Sequence, residues 1–394
     1  INLSVGEPDF NTPDHIKEAA KKAIDDNFSR YSPVPGYPAL RNAIVEKLKK
    51  ENGLEYTAAQ ISCANGAKQS VCNAVLVLVN PGDEVIVPSY TFVSTALAFV
   101  RQGARIVFAD SRMDNPCIDE QKLEALVTPR TRAIVPVHYA GIACDMDVIL
   151  AVAERHNLLV IEDAAQAIDS FYKGRPLGSI GHLAAFSFHE TKNIQCGEGG
   201  LLAINDPRFV KRSEILWEKG TNRAEFFRGE INKYGWVDTG SSFLPPEYVA
   251  AFLWAQLEAL DSIQQKRKEI WNMYYQNLQG ISSLSLPVLP DYATNNAHAF
   301  YAVCATPEER TALIRYLKSH GVYSVFHYLS LHKSDFVKNQ KWEVEELPQA
   351  DKYTDCLVRF PLFYALELDE VKYICEQIKS FYTSERDEAS FGER

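Results

Sequence analysis

The chain lacks long apolar runs and any excess of basic residues. No stretch of its 394 residues approaches the roughly 18 apolar residues that a membrane-spanning helix needs, and no charged-then-apolar leader stands at its start. The formal net charge of −10 argues against a nucleic-acid surface, because phosphate backbones are bound by clustered Lys and Arg. We therefore expect a cytoplasmic protein that contacts neither membranes nor nucleic acids.

Paired cysteines are absent as well. The eight cysteines are scattered without a Cys-Xaa-Xaa-Cys pair or a regular spacing. This excludes the usual patterns of zinc sites and of secreted disulfide frameworks. We expect reduced thiols and no bound metal.

What the sequence does contain is an alternation of short β-branched runs with helical patterns. Six runs are predicted to be buried strands, at residues 84–88, 105–109, 133–137, 158–161, 184–188 and 201–204. Helical periodicity covers residues 15–27, 38–51, 69–79 and 246–278. Strands that alternate with helices predict an α/β fold with a parallel sheet covered on both faces.

The pattern changes after about residue 290. Strand, helix and strand follow at 298–305, 307–320 and 322–327, with a last helix near 368–382. This change predicts a smaller C-terminal α+β domain. We divide the chain into an N-terminal segment (1–60), a large α/β domain (61–245), a linking helix with the small domain (246–382), and a loose polar tail (383–394).

The most informative segment surrounds Lys192. A predicted strand ends shortly before this lysine, and the glycine-rich turn Cys196-Gly-Glu-Gly-Gly200 follows it. Lysine is the side chain that forms a Schiff base with an aldehyde cofactor such as pyridoxal 5′-phosphate (PLP), and partial burial can supply the neutral amine. A lysine after a strand is more often a solvated surface group, so Lys192 alone is a weak indication.

A carboxylate strengthens this interpretation. Asp163 stands at the carboxyl end of an apolar run that begins at Leu158, which is where open α/β sheets bind their ligands. A carboxylate there can pair with the pyridine nitrogen of PLP and keep it protonated, so that the ring acts as an electron sink. The alternative for Asp163 is a helix N-cap.

Two further elements complete a possible cofactor site. Gly66, Ala67 and Lys68 lead into the predicted helix at 69–79, and their backbone N–H groups can form an anion nest for the phosphate, although such turns are common. Phe92 follows the strand at 84–88 and can stack on the pyridine ring. A core phenylalanine is an equally good interpretation of Phe92.

From about Pro81 to Tyr382 the chain resembles the DegT/DnrJ/StrS family of sugar-nucleotide aminotransferases, which are PLP enzymes of fold type I. The strings that carry the resemblance are Pro88-Ser-Tyr-Thr-Phe-Val-Ser-Thr95, Val135-Pro-Val-His-Tyr-Ala-Gly141, Glu162-Asp-Ala-Ala-Gln166, Phe186-Ser-Phe-His-Glu-Thr-Lys-Asn193, Glu218-Lys-Gly-Thr-Asn-Arg223, Val325-Phe-His-Tyr328 and Leu331-His332. The resemblance implies a mostly parallel seven-stranded sheet with a smaller C-terminal α+β domain, and a homodimer.

The resemblance also implies roles for single residues. Lys192 would bind PLP, Asp163 would contact the pyridine nitrogen, and Gln166 would lie near the ring hydroxyl. Phe92 would cover the ring face, and Ser187 would contact the phosphate.

The first 80 or so residues resemble class I aspartate aminotransferases instead. The strings concerned are Val5-Gly-Glu-Pro-Asp-Phe-Asn-Thr-Pro13, Arg30-Tyr-Ser-Pro-Val-Pro-Gly36 and Asn65-Gly-Ala-Lys-Gln69. Tyr31 matches a tyrosine that crosses the dimer interface to the partner's phosphate in that family. Ser242 stands where the sugar family often has an Asn with the same task. The chain thus resembles a hybrid of two lineages.

Our main hypothesis is amino transfer from L-glutamate, which becomes 2-oxoglutarate, to a 4-keto-6-deoxyhexose on a dTDP carrier. Arg223 and Arg228 belong to a basic loop that can bind a pyrophosphate or be merely solvated. His327, Tyr328 and His332 are candidate sugar contacts, although histidines near a strand end are as often structural.

Two alternatives stay open. The first is an aspartate or other 2-oxo-acid aminotransferase, but the catalytic half lacks an Asn-Pro-Xaa-Asn-Pro-Thr-Gly string, and Val358-Arg-Phe-Pro361 more closely resembles the sugar family. The second is a protein in which mismatched halves fold and hold PLP without turnover.

Overall fold

The computed structural model describes residues 13–26, 37–64 and 79–391. The predictions for Tyr31, Gly66, Ala67 and Lys68, and almost all of the predicted helix at 69–79, lie outside these residues.

A seven-stranded sheet forms the centre of the large domain. Its strands are β1 (Ile61–Ala64), β2 (Glu84–Pro88), β3 (Arg105–Ala109), β4 (Thr131–Ile134), β5 (Leu159–Asp163), β8 (Leu183–Ser187) and β9 (Gly200–Ile204), and a separate hairpin contains β6 (Phe171–Tyr172) and β7 (Arg175–Pro176). The order is β1-β9-β8-β5-β4-β2-β3. The strands from β8 to β3 are parallel, and their apolar residues are buried, as expected for a sheet covered on both faces.

One strand departs from the predicted parallel arrangement. β9 pairs antiparallel with β8 and with β1. The connection between β8 and β9 contains no helix, and parallel neighbours need a crossover of a dozen or more residues that usually includes one. The chain therefore turns back on itself, and the lysine segment becomes a tight connection between two paired strands.

Helices cover the sheet and build the small domain. In the described residues they are α1 (Asp14–Asp25), α2 (Pro38–Asn52), α3 (Ser94–Arg101), α4 (Leu123–Leu126), α5 (Met146–Arg155), α6 (Val210–Trp217), α7 (Arg223–Phe227), α8 (Glu247–Glu258), α9 (Leu260–Leu278), α10 (Pro307–Ser319), α11 (Asp335–Gln340), α12 (Pro348–Cys356) and α13 (Leu368–Phe391). Side chains begin some of them: the Asp145 carboxylate accepts from Val148 N–H before α5. Gly53, with φ of 65°, ends α2.

The small domain contains a three-stranded antiparallel sheet of β10 (Leu284–Ser285), β11 (Phe300–Cys304) and β12 (Leu357–Phe360). Its own apolar core includes Ile270, Phe300, Leu313, Val358 and Ile374. This agrees with the α+β arrangement predicted for the C-terminal part.

Three boundaries differ from the prediction. The helix at 246–278 breaks at Ala259, because α8 packs against the main core while most of α9 packs in the small one. The predicted strand at 322–327 is reduced to one bridge between Val325 and Arg359, since Pro361 has no N–H to continue the ladder. The last helix continues to Phe391 instead of giving way to a loose tail; the added segment contains no Pro or Gly.

No helix in the described ranges is long and apolar enough to cross a membrane. The seven cysteines in that part of the chain are buried and form no disulfide.

Candidate active site

A cavity of about 720 Å³ opens at the carboxyl ends of β2, β5 and β8. Connections after parallel strands meet at this edge, which is where α/β sheets bind ligands. Of the predicted site residues, the cavity is lined by Lys192, Asp163, Phe92, Gln166, Ser187, His327 and Tyr328. The structure thus brings together residues from the large domain with two from the small one.

Asp163 ends β5 and is 8% exposed in the cavity wall. Its Oδ2 accepts a 2.7 Å hydrogen bond from the Thr95 hydroxyl, and its Oδ1 accepts a 3.1 Å bond from Ala165 N–H. Thr95 lies 3.1 Å from the Thr91 hydroxyl. Because the Thr95 proton points to the carboxylate, Thr91 donates to Thr95. The side chain of Asp163 is held in one orientation by this chain of donors.

Gln166 connects the two domains across the cavity. Its Oε1 accepts a 2.6 Å hydrogen bond from Ala140 N–H, and its Nε2 donates to the Tyr328 hydroxyl at 2.8 Å. The ring of Tyr328 packs edge-on against Tyr90, with centroids 5.8 Å apart. Burial raises the pKa of Tyr328, so the phenol stays protonated. Phe92 is 46% exposed, which excludes its interpretation as a core residue.

His327 lies beside Tyr328 and is neutral. Its Nε2 accepts a 3.3 Å hydrogen bond from Arg359 Nη1, so Nδ1 carries the proton and donates to the Tyr139 hydroxyl at 2.6 Å. Burial and the positive charge of Arg359 hold the pKa of His327 well below its ordinary value. His327 can therefore accept or donate hydrogen bonds, but it adds no charge to the site.

Lys192 lies in the connection from β8 to β9. Phe188 N–H donates to the Gly199 carbonyl at 2.7 Å, and Cys196 N–H donates to the Phe188 carbonyl at 2.9 Å. A Cβ on residue 199 would lie 2.3 Å from the Cys196 sulfur, so only glycine fits there. The backbone N–H of Lys192 donates to the His189 carbonyl at 2.9 Å. These bonds give the lysine a defined place at the cavity wall.

The side chain of Asn193 links the connection from β8 to β9 to the small domain through hydrogen bonds. Its amide nitrogen donates to Gln264 Oε1 and to the Asn296 carbonyl, each at 2.8 Å. Its Oδ1 is therefore the acceptor of the 2.8 Å bond with His298 Nδ1. Burial, followed by the positive charge of Lys192, holds the pKa of His298 well below its ordinary value. A neutral imidazole thus lines the cavity close to Lys192.

A buried carboxylate supports the cavity wall from behind. Glu162 precedes Asp163 and accepts hydrogen bonds from Gly178, Ile180 and Gly181 N–H at 2.6 to 2.7 Å, and from His138 Nε2 at 3.0 Å. Burial opposes ionisation of Glu162, but the bonds from His138 and from the backbone outweigh it and lower the pKa of Glu162.

Four predicted site residues lie elsewhere. Arg228 forms ion pairs with Glu214 and Glu230, and Arg223 pairs with a glutamate as well. His332 is buried, and its Nδ1 lies 2.7 Å from the Ser89 hydroxyl. Ser242 is exposed. None of these four lines the cavity formed by the described residues, so their proposed roles stay predictions.

Several residues that shape the cavity were not singled out in the sequence. They are Thr95, Asn193, His298, Arg267 and Arg359. Thr95, Asn193 and Arg359 stand inside strings quoted above, but the sequence did not show which residues they contact. His298 precedes β11 and Arg359 lies in β12. No local sequence pattern predicts that they line the same cavity as Lys192.

The fold and these side chains define a class of enzyme. A lysine, a buried carboxylate and an exposed aromatic ring face one cavity at the carboxyl edge of a mostly parallel sheet. The donor set fits PLP: the Asp163 carboxylate suits the protonated pyridine nitrogen, and the cavity has the volume of a small-molecule site. The protein is a PLP-dependent aminotransferase.

The sequence profile of the DegT/DnrJ/EryC1/StrS aminotransferase family matches residues 44–379. The chain belongs to this family. The match thus includes residues 44–80, which the sequence analysis had set apart from this family.

Individual relatives agree with this assignment. The chain is 36% identical over 335 residues to the spore coat polysaccharide biosynthesis protein SpsC of Bacillus subtilis, covering 80% of this chain and 85% of that protein. It is similar to the aminotransferase from Psychrobacter cryohalolentis, with a TM-score of 0.86, 26% identity, and coverage of 96% and 99%. The putative sugar aminotransferase Spr1654 from Streptococcus pneumoniae, in its PMP form, has a TM-score of 0.84, 25% identity, and coverage of 97% and 100%. A PLP form of Spr1654 is also similar.

Proposed function

We propose that this aminotransferase transfers the amino group of L-glutamate to a dTDP-4-keto-6-deoxyhexose and so produces a 4-amino-4,6-dideoxy sugar nucleotide. Within the family, the motifs most resemble dTDP-4-amino-4,6-dideoxygalactose transaminase. The observation that carries the proposal is the convergence of Lys192 and Asp163 with His327 and Tyr328 on one cavity. The family assignment and the similarity to the putative sugar aminotransferase Spr1654 support a sugar as the amino acceptor.

The cavity residues divide into two groups in this proposal. When bound, PLP withdraws electrons from the carbon that carries the reacting amino group. Asp163 would pair with the pyridine nitrogen, Gln166 would face the ring hydroxyl, and Phe92 would cover the ring. Lys192 would hold and move protons at its Nζ as general acid and base. Ser187 would donate to the phosphate.

The other cofactor contacts are proposed to come from the N-terminal part and from a second subunit. The backbone N–H groups of Gly66, Ala67 and Lys68 would bind the phosphate. Tyr31 and Ser242 would reach the phosphate of the neighbouring subunit.

The small domain would present the sugar side of the site. His327 and Tyr328 line the cavity, and both can hydrogen-bond to neutral hydroxyls. Both are tied to large-domain residues, Tyr139 and Gln166. A sugar bound here would therefore contact both domains.

We also infer a homodimer. Large apolar side chains are exposed along residues 226–248: Trp236 is 83% exposed, and Phe227, Val237, Phe243 and Tyr248 are each more than half exposed. Such clusters commonly mark protein–protein interfaces. The exposed Ser242 lies within the same stretch, consistent with its proposed contact to a partner's phosphate.

The N-terminal segment supports a second candidate, an aspartate or other 2-oxo-acid aminotransferase, because its strings resemble class I enzymes. We infer that residues 1–80 belong to that lineage. The catalytic half favours the sugar reaction, so we place this alternative second.

Two assays distinguish these possibilities. The holoenzyme is first mixed with L-glutamate, and we expect the absorbance of bound PLP to give way to that of pyridoxamine phosphate. A chain that holds PLP without turnover would show no change with glutamate or aspartate. In the second assay the aminated enzyme receives either a dTDP-4-keto-6-deoxyhexose or a 2-oxo acid other than 2-oxoglutarate, such as oxaloacetate. We expect PLP absorbance to return efficiently with the ketosugar; return with oxaloacetate alone would favour the aspartate-type enzyme.

A further inference from the structure

His298 presents an unprotonated ring nitrogen in the cavity wall. The residue is 8% exposed and lines the same cavity as Lys192. Its Nδ1 donates to Asn193 Oδ1 at 2.8 Å, so the other ring nitrogen, Nε2, carries no proton in the neutral ring. In the part of the chain that the structure describes, no hydrogen bond reaches Nε2. His298 therefore has one acceptor left for a donor in the cavity.

The groups behind His298 fix this tautomer. The backbone carbonyl of Asn296 can only accept, so the Asn193 side-chain atom 2.8 Å from it is the amide nitrogen, and Asn193 Oδ1 faces the imidazole. The backbone of His298 is held as well: its N–H donates to Asn296 Oδ1 at 3.0 Å, and its carbonyl accepts from Arg267 at 2.8 Å. Nε2 is thus an acceptor in a fixed position.

The charges that act on His298 come from cations. Burial lowers the pKa of His298 most, and the positive charge of Lys192 lowers it next. Arg267 and Arg359 act in the same direction with smaller effects. Both arginines already donate elsewhere, Arg267 to two backbone carbonyls and Arg359 to His327. Lys192 is thus the cation best suited to donate to Nε2 of His298.

We propose that His298 is a positioning residue for Lys192: its Nε2 accepts a hydrogen bond from the Lys192 ammonium whenever that side chain is not joined to PLP. This inference rests on the proposed role of Lys192 as the lysine that binds PLP. To join PLP, the ammonium releases a proton to solvent, Nζ replaces the aldehyde oxygen, and one water molecule leaves. Nζ is then no longer an ammonium, and its bond to His298 is lost. His298 therefore stabilises the state in which Lys192 is released and can move protons.

The proposal predicts that removal of the acceptor strengthens PLP binding. His298→Asn keeps an amide N–H that can donate to Asn193, but it has no atom at the position of Nε2. Only the apoprotein loses a hydrogen bond, so PLP should bind about 10-fold more tightly, the lower value of a hydrogen bond to a charged group. A merely structural role predicts the opposite sign, because damage to the cavity wall weakens binding. Titration of the apoprotein with PLP, followed by absorbance, measures the affinity.

His298→Gln is the conservative variant that should restore the wild-type behaviour. Its side-chain oxygen can accept at the position of Nε2, although the bond to Asn193 is lost, so its PLP affinity should return towards the wild-type value. The control outside the cavity is His320→Asn, at the exposed end of α10, and it should bind PLP as the wild type does. PLP binding by His298→Asn that is equal to or weaker than that of the wild type would overturn the proposal.

A second titration measures the same hydrogen bond in the aminated enzyme. In mixtures of L-glutamate and 2-oxoglutarate, absorbance gives the ratio at which half of the enzyme carries pyridoxamine phosphate. Lys192 is released in that form, so His298→Asn should need a ratio of glutamate to 2-oxoglutarate about 10-fold higher than the wild type. An unchanged ratio would overturn the proposal. If the wild type does not react with L-glutamate at all, the proposed function fails, and the titration with PLP still decides the role of His298.

The melting temperature of each apoprotein shows whether the variant is folded. Should His298→Asn not fold, a crystal structure of the wild-type apoprotein decides. We expect Lys192 Nζ within about 3.2 Å of His298 Nε2 there, and a distance beyond hydrogen bonding would overturn the proposal. The assignment of Lys192 itself fails separately if Lys192→Ala keeps the absorbance of lysine-bound PLP.

Discussion

Lys192 is the only lysine among the described residues that line the cavity. We predict that Lys192→Ala abolishes transamination and the absorbance of lysine-bound PLP, because no neighbouring amine can replace its Nζ, while the fold persists. Absorbance spectra and the glutamate half-reaction measure this. The control is Lys173→Ala, since Lys173 is exposed and bonded to Asp147; it should retain both signals. A Lys192→Ala variant that kept the spectrum would refute the assignment.

A conservative substitution of Asp163 tests its proposed pairing with the pyridine nitrogen of PLP. Asp163→Asn keeps the size of the side chain but offers a neutral partner, which no longer favours a protonated pyridine. We expect PLP to remain bound and the half-reaction with glutamate to slow by about 10- to 100-fold, the value of one charged hydrogen bond. Single-turnover absorbance measures the rate. Equal rates in the variant and the wild type would contradict this role, and Asp147→Asn, at an exposed carboxylate, serves as control.

At the scale of elements, the end of β5 depends on Glu162. Its side chain accepts three backbone N–H groups and His138, all within the core. We predict that Glu162→Gln lowers the free energy of unfolding by about 3–5 kcal/mol at pH 7, because a buried, multiply bonded carboxylate is removed. Chemical denaturation measures this. Glu124→Gln, at an exposed carboxylate paired with Arg155, should change stability far less.

The carboxylate of Glu162 also predicts how the free energy of unfolding depends on pH. The folded pKa of Glu162 lies below its ordinary value of 4.5, so the unfolded chain takes up the proton first as the pH falls. The stability that this carboxylate contributes is complete above about pH 4.5 and is lost as the pH falls through the lowered folded pKa. The difference in unfolding free energy between wild type and Glu162→Gln should therefore shrink below pH 4.5. A difference that stayed constant down to pH 3 would rule out this linkage.

At the scale of the whole molecule, we predict a homodimer whose sites are shared. If Tyr31 and Ser242 reach the partner's phosphate, the PLP affinity of each site should fall when the dimer is diluted apart. Sedimentation combined with PLP titration over a range of protein concentrations measures both quantities. A monomer that binds PLP as tightly as the dimer would contradict a shared site.

A substitution in the exposed apolar stretch at 226–248 tests whether this stretch forms the dimer interface. Trp236→Ser removes an 83% exposed indole from the apolar stretch at 226–248 and should raise the dissociation constant of the dimer. The control is Met113→Ser, since Met113 is 81% exposed and lies outside that stretch. If both variants associate as the wild type does, the interface lies elsewhere.

Much of the fold follows from local patterns. The strands at 84–88 and 105–109 agree with β2 and β3 to the residue, because buried apolar runs between helices have few alternatives. β1 was not predicted, since four residues of mixed polarity carry no such signal. The direction of β9 was also missed, because strand direction depends on the length and course of the connection rather than on the strand itself.

The amino-acid sequence by itself determined the class of the protein, since Asp163 ends one strand and Lys192 follows another, and parallel strands end at the same edge of a sheet. Only the tertiary structure decided which other groups face them. His298 and Arg359 lie far from Lys192 in the sequence, and only the packing of the small domain brings them to the same cavity. Arg223 and Arg228, which are equally basic in sequence, pair with glutamates away from the cavity. Side-chain type is local information, whereas the balance of charge at a site depends on every element packed around it.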